Sequence, residues 1–320
     1  MHERDCVLIT GASGFLGTWL SDIAHEQGCD LIGIDLVAPR QPKLFSAFAT
    51  KSCEQTDFES LISSRKIRVV FHLAGGASVP QSMDDPQGDF DSLLPGTVAL
   101  LGYLIRHQCD AHFVFFSSAA VYGNPISLPV AETAAVKPIS PYGIHKAAAE
   151  FIIEHYARLF GLRASLLRLF SAYGEGLRKQ VVWDISQRVI ASQRSGERTI
   201  SLHGTGAETR DFLHAVDIAR AALFVAERPP ESGVQVLNVA SGTEISIAAL
   251  AERVAHELRA DIKILFNGVI RAGDPMSWRA DIGKLTKLGF SPKVSFAEGI
   301  ARLAHWHQDL NTQNRAPQSP

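Results

Sequence analysis

Short apolar runs separated by helical stretches set the rhythm of the first half of the chain. Val7-Leu8-Ile9 reads as a buried strand, Leu16 to His25 as a helix, and Leu31-Ile32-Gly33-Ile34 as a second strand. Val69-Val70-Phe71-His72-Leu73 and Phe113-Val114-Phe115-Phe116 predict two more strands, with a helix over Val98 to Arg106 ahead of the latter. Tyr142 to Phe160 predicts a long helix entered after Pro141, and Ser165 to Phe170 a further strand. Strands that are apolar throughout are buried on both faces, and their alternation with helices predicts a parallel sheet covered on both sides. The expected class is α/β with a doubly wound sheet.

Beyond about residue 172 the rhythm changes. A segment marked by Gly174, Gly176, Gly196, Gly204 and Gly206 leads to Arg210-Asp211-Phe212. Val236-Leu237-Asn238-Val239 then reads as a late strand and Ser246 to Arg259 as an amphipathic helix. Composition adds bounds rather than detail. A chain of 320 residues, 46% hydrophobic and 20% charged, is globular, and its net charge of −2 gives no reason to expect nucleic acid or an anionic membrane as partner. No apolar run approaches the ~20 residues that cross a bilayer. The charged Met1-His2-Glu3-Arg4-Asp5 is not read as a signal peptide. Cys6, Cys29, Cys53 and Cys109 lack metal-ligand spacing, so no metal is expected and the thiols are read as reduced, in a cytoplasmic protein.

The candidate chemistry begins at the first strand end. In Ile9-Thr10-Gly11-Ala12-Ser13-Gly14-Phe15-Leu16-Gly17, glycines 11, 14 and 17 form a GxxGxxG turn between strand and helix. Glycine is needed there for the tight turn, for close backbone approach to a pyrophosphate, and for packing helix on strand. The helix N-terminus offers unpaired N–H groups to phosphates. Gly11, Ser13, Gly14, Phe15, Leu16 and Gly17 are therefore the candidate pyrophosphate cradle. Asp35 ends the second strand eighteen residues past Gly17, where a carboxylate bonds the adenosine ribose hydroxyls and repels a 2′-phosphate. This favours NAD over NADP. Asp57-Phe58 has two readings, a cap on the adenine ring or an ordinary loop. On this basis residues 1–172 form a Rossmann-type NAD-binding domain, with elements about 209–242 returning to it. Residues 173–310 form a smaller, interleaved C-terminal substrate-binding region, and 311–320 a frayed polar tail.

Tyr142 and Lys146 make a YxxxK pair, and positions four apart share a helix face. Tyrosine titrates near ~10 in water, and a neighbouring ammonium with a cationic nicotinamide ring would favour its phenolate. Ser118 ends the Phe113–Phe116 strand at the sheet edge where open α/β sheets bind ligands. Taken with the glycine turn and Asp35, these residues resemble the extended short-chain dehydrogenase/reductase family, in particular its nucleotide-sugar epimerases and dehydratases. The resemblance covers nearly the whole chain. It runs through His72-Leu73-Ala74, Asp85-Pro86, Gly96-Thr97, Ser118 to Gly123, Arg168-Leu169-Phe170 and Tyr173-Gly174. It continues through Gly204-Thr205-Gly206, Arg210 to His214, Asp217, Arg271, Gly273-Asp274 and Ala280-Asp281. It implies NAD as cofactor, a nucleotide-diphosphate sugar as substrate, and a two-fold dimer. By the same resemblance Leu73 and Ala74 join the cofactor site, Arg210 and Arg271 grip the diphosphate, Asp274 holds the nucleotide ribose, and Ser171 lies near the sugar phosphates. Planar, permanently charged arginine suits the diphosphate role. Two positions depart from the family's pattern: Leu93 and Ser171 stand where asparagine is frequent.

Dehydratases of this family resemble one another in placing Asp-Glu after the catalytic Ser or Thr, because one group must take a C5 proton and another protonate the departing hydroxyl. Here the positions hold Ala119 and Ala120, whose methyl groups transfer no protons. The expected reaction is 4-epimerisation through a 4-keto sugar. The alternative is reduction of a nucleotide 4-ketosugar, followed by a 4,6-dehydratase and a non-catalytic NAD-binding protein. His145 beside Lys146 is expected to be a packed or half-exposed histidine, not a second base. Trp183 and Trp278 have two readings, stacking on the base or groove packing. Leu177-Arg178-Lys179-Gln180 also has two, a phosphate contact or a solvated turn. The helices Val98–Arg106 and Ala147–Phe160 carry apolar residues on more than one face, among them Leu100, Leu101, Phe151, Ile152 and Leu159, which suits a dimer.

Overall fold

The structure is a computed structural model and describes residues 5–76, 78–269 and 276–313. Its strands are β1 (Cys6–Thr10), β2 (Asp30–Asp35), β3 (Phe45–Thr50), β4 (Ile67–His72), β5 (His112–Ser118), β6 (Arg163–Leu169), β7 (Ser171–Tyr173), β8 (Thr199–Leu202), β9 (Thr209–His214), β10 (Val234–Val239), β11 (Glu244–Ser246) and β12 (Lys263–Phe266). Its helices are α1 (Phe15–Glu26), α2 (Phe58–Ile62), α3 (Val79–Asp84), α4 (Pro86–His107), α5 (Pro141–Phe160), α6 (Gln180–Ser195), α7 (Ala215–Ala226), α8 (Ile247–Glu257), α9 (Gly283–Lys287) and α10 (Phe296–Gln313). Seven strands make one sheet in the order β10-β6-β5-β4-β1-β2-β3, every pair parallel. This is the Rossmann-type doubly wound α/β fold, and its strand order reverses between β1 and β4, where such sheets bind ligands.

One face of the sheet packs with α1 and α7 around Ile9, Leu20, Phe71 and Leu167, and the other with α4 and α5 around Leu8, Leu101, Phe113 and Ile153. A third core, including Val189, Phe212, Leu250 and Leu303, joins α6, α8 and α10 to the small sheets β11-β9-β7 and β12-β8. The late strand at Val236–Val239 does return to the main sheet, as β10 beside β6. No described helix is long and apolar enough to cross a membrane.

Several elements exceed the pattern reading. Helix α4 begins at Pro86, twelve residues before Val98, because Asp85 caps it through the Gly88 N–H and proline suits the first helical position. Its polar first half and internal Pro95 hide the period. Helix α7 is buried on nearly every side and shows no polar face to read. Strand β3 is half-buried at the sheet edge, and α6 lies inside the glycine-marked segment.

Candidate active site

The strands of the main sheet end on a cavity of about 1070 Å³. That is at the upper end of the range for single small-molecule pockets, which suits two ligands side by side. The β1–α1 turn forms one wall. Gly11 has φ +71°, and a Cβ there would lie 2.8 Å from the Ala74 nitrogen, so the turn presses directly on the chain leaving β4. At Gly17 a Cβ would lie 2.0 Å from the Gly11 carbonyl oxygen. Helix α1 is capped by Gly14 with no side-chain acceptor, and no acidic residue sits in its first turn. Its first amides therefore remain available to an anion at the positive end of the helix dipole. Gly11, Gly14, Phe15, Leu16, Gly17, Asp35, Leu73 and Ala74 all line the cavity.

Ser13 does not line it. Its N–H donates to Asp35 (2.9 Å) and its hydroxyl to the Val37 carbonyl (2.7 Å), so it ties the turn to the end of β2. Asp35 also accepts from the Val37 N–H, at 3.1 Å. Asp57 and Phe58 are likewise absent from the lining. The Asp57 side chain caps α2 by accepting from the Ser60 N–H, while Phe58 is buried and stacked on Tyr103 with centroids 5.2 Å apart. Glu54, three residues earlier, faces the cavity instead. The acidic side chain at that spacing was the available signal.

Behind the turn, His72 bridges two hydroxyls. Its Nδ1 lies 2.7 Å from Thr10 Oγ1 and its Nε2 2.9 Å from Thr97 Oγ1, and Thr10 Oγ1 also accepts from the Ala74 N–H. Burial pushes the His72 imidazolium down to about 3, so the ring works as a neutral spacer joining β1, β4 and α4. Leu93, where the family often has asparagine, is buried and packs on Gly75. The polar bracing at this end comes from His72 and Thr97.

The candidate triad converges from two elements. Ser140 caps α5 by accepting from the Gly143 N–H, Pro141 opens it, and Gly161 in the left-handed region closes it. This places Tyr142 and Lys146 one turn apart beside the end of β5. Ser118 and Tyr142 line the same cavity. Lys146 is 3% exposed, donates to the Phe116 carbonyl at 2.9 Å, and stands 5.9 Å from the Tyr142 ring centroid. Burial lowers the Lys146 ammonium to about 8, against the opposing pull of Asp89 and Glu150. Burial raises the Tyr142 phenol to about 12; the neighbouring Ser118 hydroxyl lowers it and Asp89 raises it further. Burial is the largest cause, and the sequence expectation of a phenol drawn down by Lys146 together with a cationic nicotinamide ring concerns the site with that ring bound.

A buried network holds this edge in place. Arg168 forks onto Glu150, with Nη2 2.7 Å from Oε2 and Nε 3.0 Å from Oε1. It also donates to the Tyr122 hydroxyl, which donates to Asn238, while the Ser117 hydroxyl donates to Glu150 at 2.5 Å. Bidentate pairing satisfies the buried guanidinium and clamps α5, β5, β6 and β10 together.

The far end of the cavity is lined by side chains from separated segments: Ser171 on β7, Trp183 on α6, Arg210 on β9, and Trp278. The Arg210 guanidinium lies 5.5 Å from the Trp278 ring centroid and donates to the Thr209 carbonyl at 2.8 Å. Trp183 faces the cavity with His307 tilted against it at 5.1 Å, so lining and packing coincide. Leu177, Lys179 and Gln180 line the cavity, whereas Arg178 lies over the Trp306 ring. Arg271 and Asp274 lie outside the described residues. His145 lies 2.6 Å from Asp89, a residue the pattern reading did not single out. Among the described residues, no group of His, Cys, Asp or Glu is placed to hold a metal.

Known proteins resemble this chain over nearly its whole length. A UDP-glucose 4-epimerase of Mycolicibacterium smegmatis is 31% identical over 315 residues, covering 94% of this chain and 98% of that protein. The structure of a UDP-glucose 4-epimerase with UDP-glucose from Thermotoga maritima superposes with a TM-score of 0.85 at 28% identity, covering 96% of this chain and 99% of that one. A UDP-glucuronic acid 4-epimerase variant from Bacillus cereus, in complex with UDP-4-deoxy-4-fluoro-glucuronic acid and NAD, superposes with a TM-score of 0.85 at 25% identity, covering 95% and 99%. Residues 7–240, which span nearly all of the main sheet with its glycine turn and the Tyr142–Lys146 helix, match the family model, and this chain belongs to the NAD dependent epimerase/dehydratase family.

Proposed function

We propose that this protein is a nucleotide-sugar 4-epimerase, acting on a nucleotide-diphosphate hexose with retained NAD. The observation that carries the reading is the meeting of Ser118, Tyr142 and Lys146 in one cavity with the glycine turn, next to two positions unable to carry protons. Ala119 and Ala120 are buried, and Ala120 lines the cavity where a dehydratase needs an acid or base. Its curated and structural relatives named above are 4-epimerases, which supports the same reaction class.

The residues present fit NAD. The Gly11 cradle, the uncapped first turn of α1 and the Asp35 carboxylate would hold its pyrophosphate and adenosine ribose, and bound NAD supplies an acceptor and later a donor of hydride at the sugar C4. Tyr142 takes the O4 proton as the C4 hydride departs, leaving a 4-keto sugar, and returns the proton when hydride arrives on the opposite face. Ser118 lines the cavity with the phenol and would share the O4 proton. The Lys146 ammonium favours the phenolate while it lasts. Arg210 neutralises the diphosphate, with Ser171 beside it.

The deciding experiment follows product by NMR from a panel of nucleotide hexoses with no added reduced cofactor. Epimer formation with only retained NAD is expected. Stoichiometric NADH loss with a 4-keto sugar, and no epimer from any hexose, would replace this reading with a reductase. The same proposal includes a homodimer through α4 and α5. Ile144, Phe151, Leu159 and Phe160 on α5 and Phe90 and Val98 on α4 are exposed apolar side chains, and a helix with two apolar faces calls for two partners. Light scattering should report twice the chain mass; a monomer at micromolar concentration would refute the dimer.

A further inference from the structure

Two residues beside the candidate triad have no place in the chemistry above. His145 sits between Tyr142 and Lys146 on α5, and its Nδ1 lies 2.6 Å from Oδ2 of Asp89 in the first turn of α4. The two side chains are 14% and 7% exposed. Since ionised aspartate has no proton to give, the shared hydrogen belongs to His145 Nδ1. Phe90 covers the histidine edge-on, with ring centroids 5.6 Å apart. The other carboxylate oxygen meets a different segment: a Cβ on Gly76 would collide with Asp89 Oδ1, so that oxygen rests on the chain leaving β4. Nearby on α4, the Ser92 hydroxyl accepts from the Gly76 N–H at 2.9 Å and donates to the Asp89 carbonyl at 2.8 Å. Gly75, Gly76, Asp89 and Ser92 line the same cavity as Tyr142 and Lys146.

We propose that Asp89 and His145 are positioning residues of the active site: through their contact the first turn of α5, which carries Tyr142, is held in register with α4 and with the Gly75-Gly76 wall of the cavity. A buried polar pair costs free energy to desolvate, and its best-attested return is a fixed register between elements. Further along, α4 and α5 share an apolar core that includes Leu101 and Ile153. Apolar burial is non-directional, so such a seam does little to stop one helix sliding along the other. A hydrogen bond of 2.6 Å does stop it, because the bond fails once donor and acceptor part or turn. His145 stands three positions after Tyr142, so the two are neighbours on the helix surface. Lys146 and Glu150 on the same helix reach β5 and β6 instead, through the Phe116 carbonyl and Arg168. The Tyr142 N–H donates to the Ser82 hydroxyl of α3 at 3.0 Å. The turn that carries the phenol is thus tied to α3 by Ser82 and to α4 by His145, and the carboxylate that takes the second tie also braces Gly76.

The inference rests on the proposed function only in taking Tyr142 as the proton carrier, and its test has one arm without turnover and one with it. In the first, hydrogen exchange is followed on the full chain without ligands. His145→Ala and Asp89→Ala should each speed exchange in the segments 75–76 and 142–146 about tenfold or more, while β6 and α7 keep their protection. In the second, the activity assayed is whichever turnover Tyr142→Phe abolishes, so a different reaction class leaves the comparison intact. Each alanine variant should lower kcat by about ten- to a hundredfold with KM little changed, the scale of a small misplacement of a reacting group. The double variant should be no slower than either single one, because both remove the same contact. His145→Asn offers an amide N–H from nearly the place of Nδ1, and should recover most of the lost kcat and the slow exchange. Unmoved exchange in the two segments, additive losses in the double variant, a loss confined to KM, or an asparagine variant no better than alanine would each overturn the proposal. If no turnover depends on Tyr142, the functional reading fails and the exchange arm decides this inference alone.

Discussion

The two ends of the cavity are built by different means. The cofactor end is mostly backbone: glycines 11, 14 and 17, the free amides opening α1, and the neutral His72 bridge that holds β1 against β4. All of it comes from the first hundred residues and sits on continuous strands. The end proposed for the nucleotide sugar is mostly side chain, with Ser171, Trp183, Arg210 and Trp278 brought in from β7, α6, β9 and the segment after residue 276. A backbone cradle recognises phosphate geometry that does not vary between ligands, so it tolerates few changes. A wall of independent side chains can be altered one residue at a time, so this is where substrate choice can vary while the fold stays constant.

That contrast can be broken first where the two ends meet. Tyr142→Phe keeps the ring and removes the oxygen that carries the proton, so kcat should fall by about 10²–10⁴. Binding of both ligands should change little, as tested by titration calorimetry; near-normal turnover would end the mechanism. At the cofactor end, Gly17→Ala puts a methyl 2.0 Å from a carbonyl oxygen that cannot move without opening the turn. NAD affinity should drop by roughly a hundredfold, the scale of losing a few kcal/mol of pyrophosphate contacts. Affinity for the nucleotide sugar should hold, and an equal loss at both ends would erase the distinction drawn here.

At the other end, Arg210→Ala should raise KM for the nucleotide sugar about tenfold or more, the worth of a charge-assisted bond. Fluorescence titration should show NAD binding unchanged. The smallest effect is expected at Asp35. Removing its charge should narrow the preference for NAD over NADP by about tenfold, as read by paired titrations. Equal binding of both cofactors by the unaltered protein would remove Asp35 from this role.

His145 shows how unevenly the site could be read. Its presence next to Lys146 was visible as an oddity, yet its partner Asp89 is fifty-six positions away on another helix. Nothing in the spacing of either residue reveals the contact. The sequence likewise pointed to Asp57 for the adenine end, but Asp57 spends its carboxylate on the α2 cap, a local use that competes for the same residue type. Glu54 lines the cavity instead.

What the sequence determined by itself were the features with local causes. Apolar strands β1, β2, β4, β5 and β6, the glycine turn and the capped Tyr142–Lys146 helix each follow from residues within a few positions of one another. Only the tertiary structure decided the rest: which carboxylate meets His145, that Arg168 is satisfied by Glu150 and Tyr122, and that β10 returns beside β6. These pairings join residues 18 to 70 positions apart. Packing and burial select them, since a charge or strand edge removed from water must find its partner wherever the fold brings one.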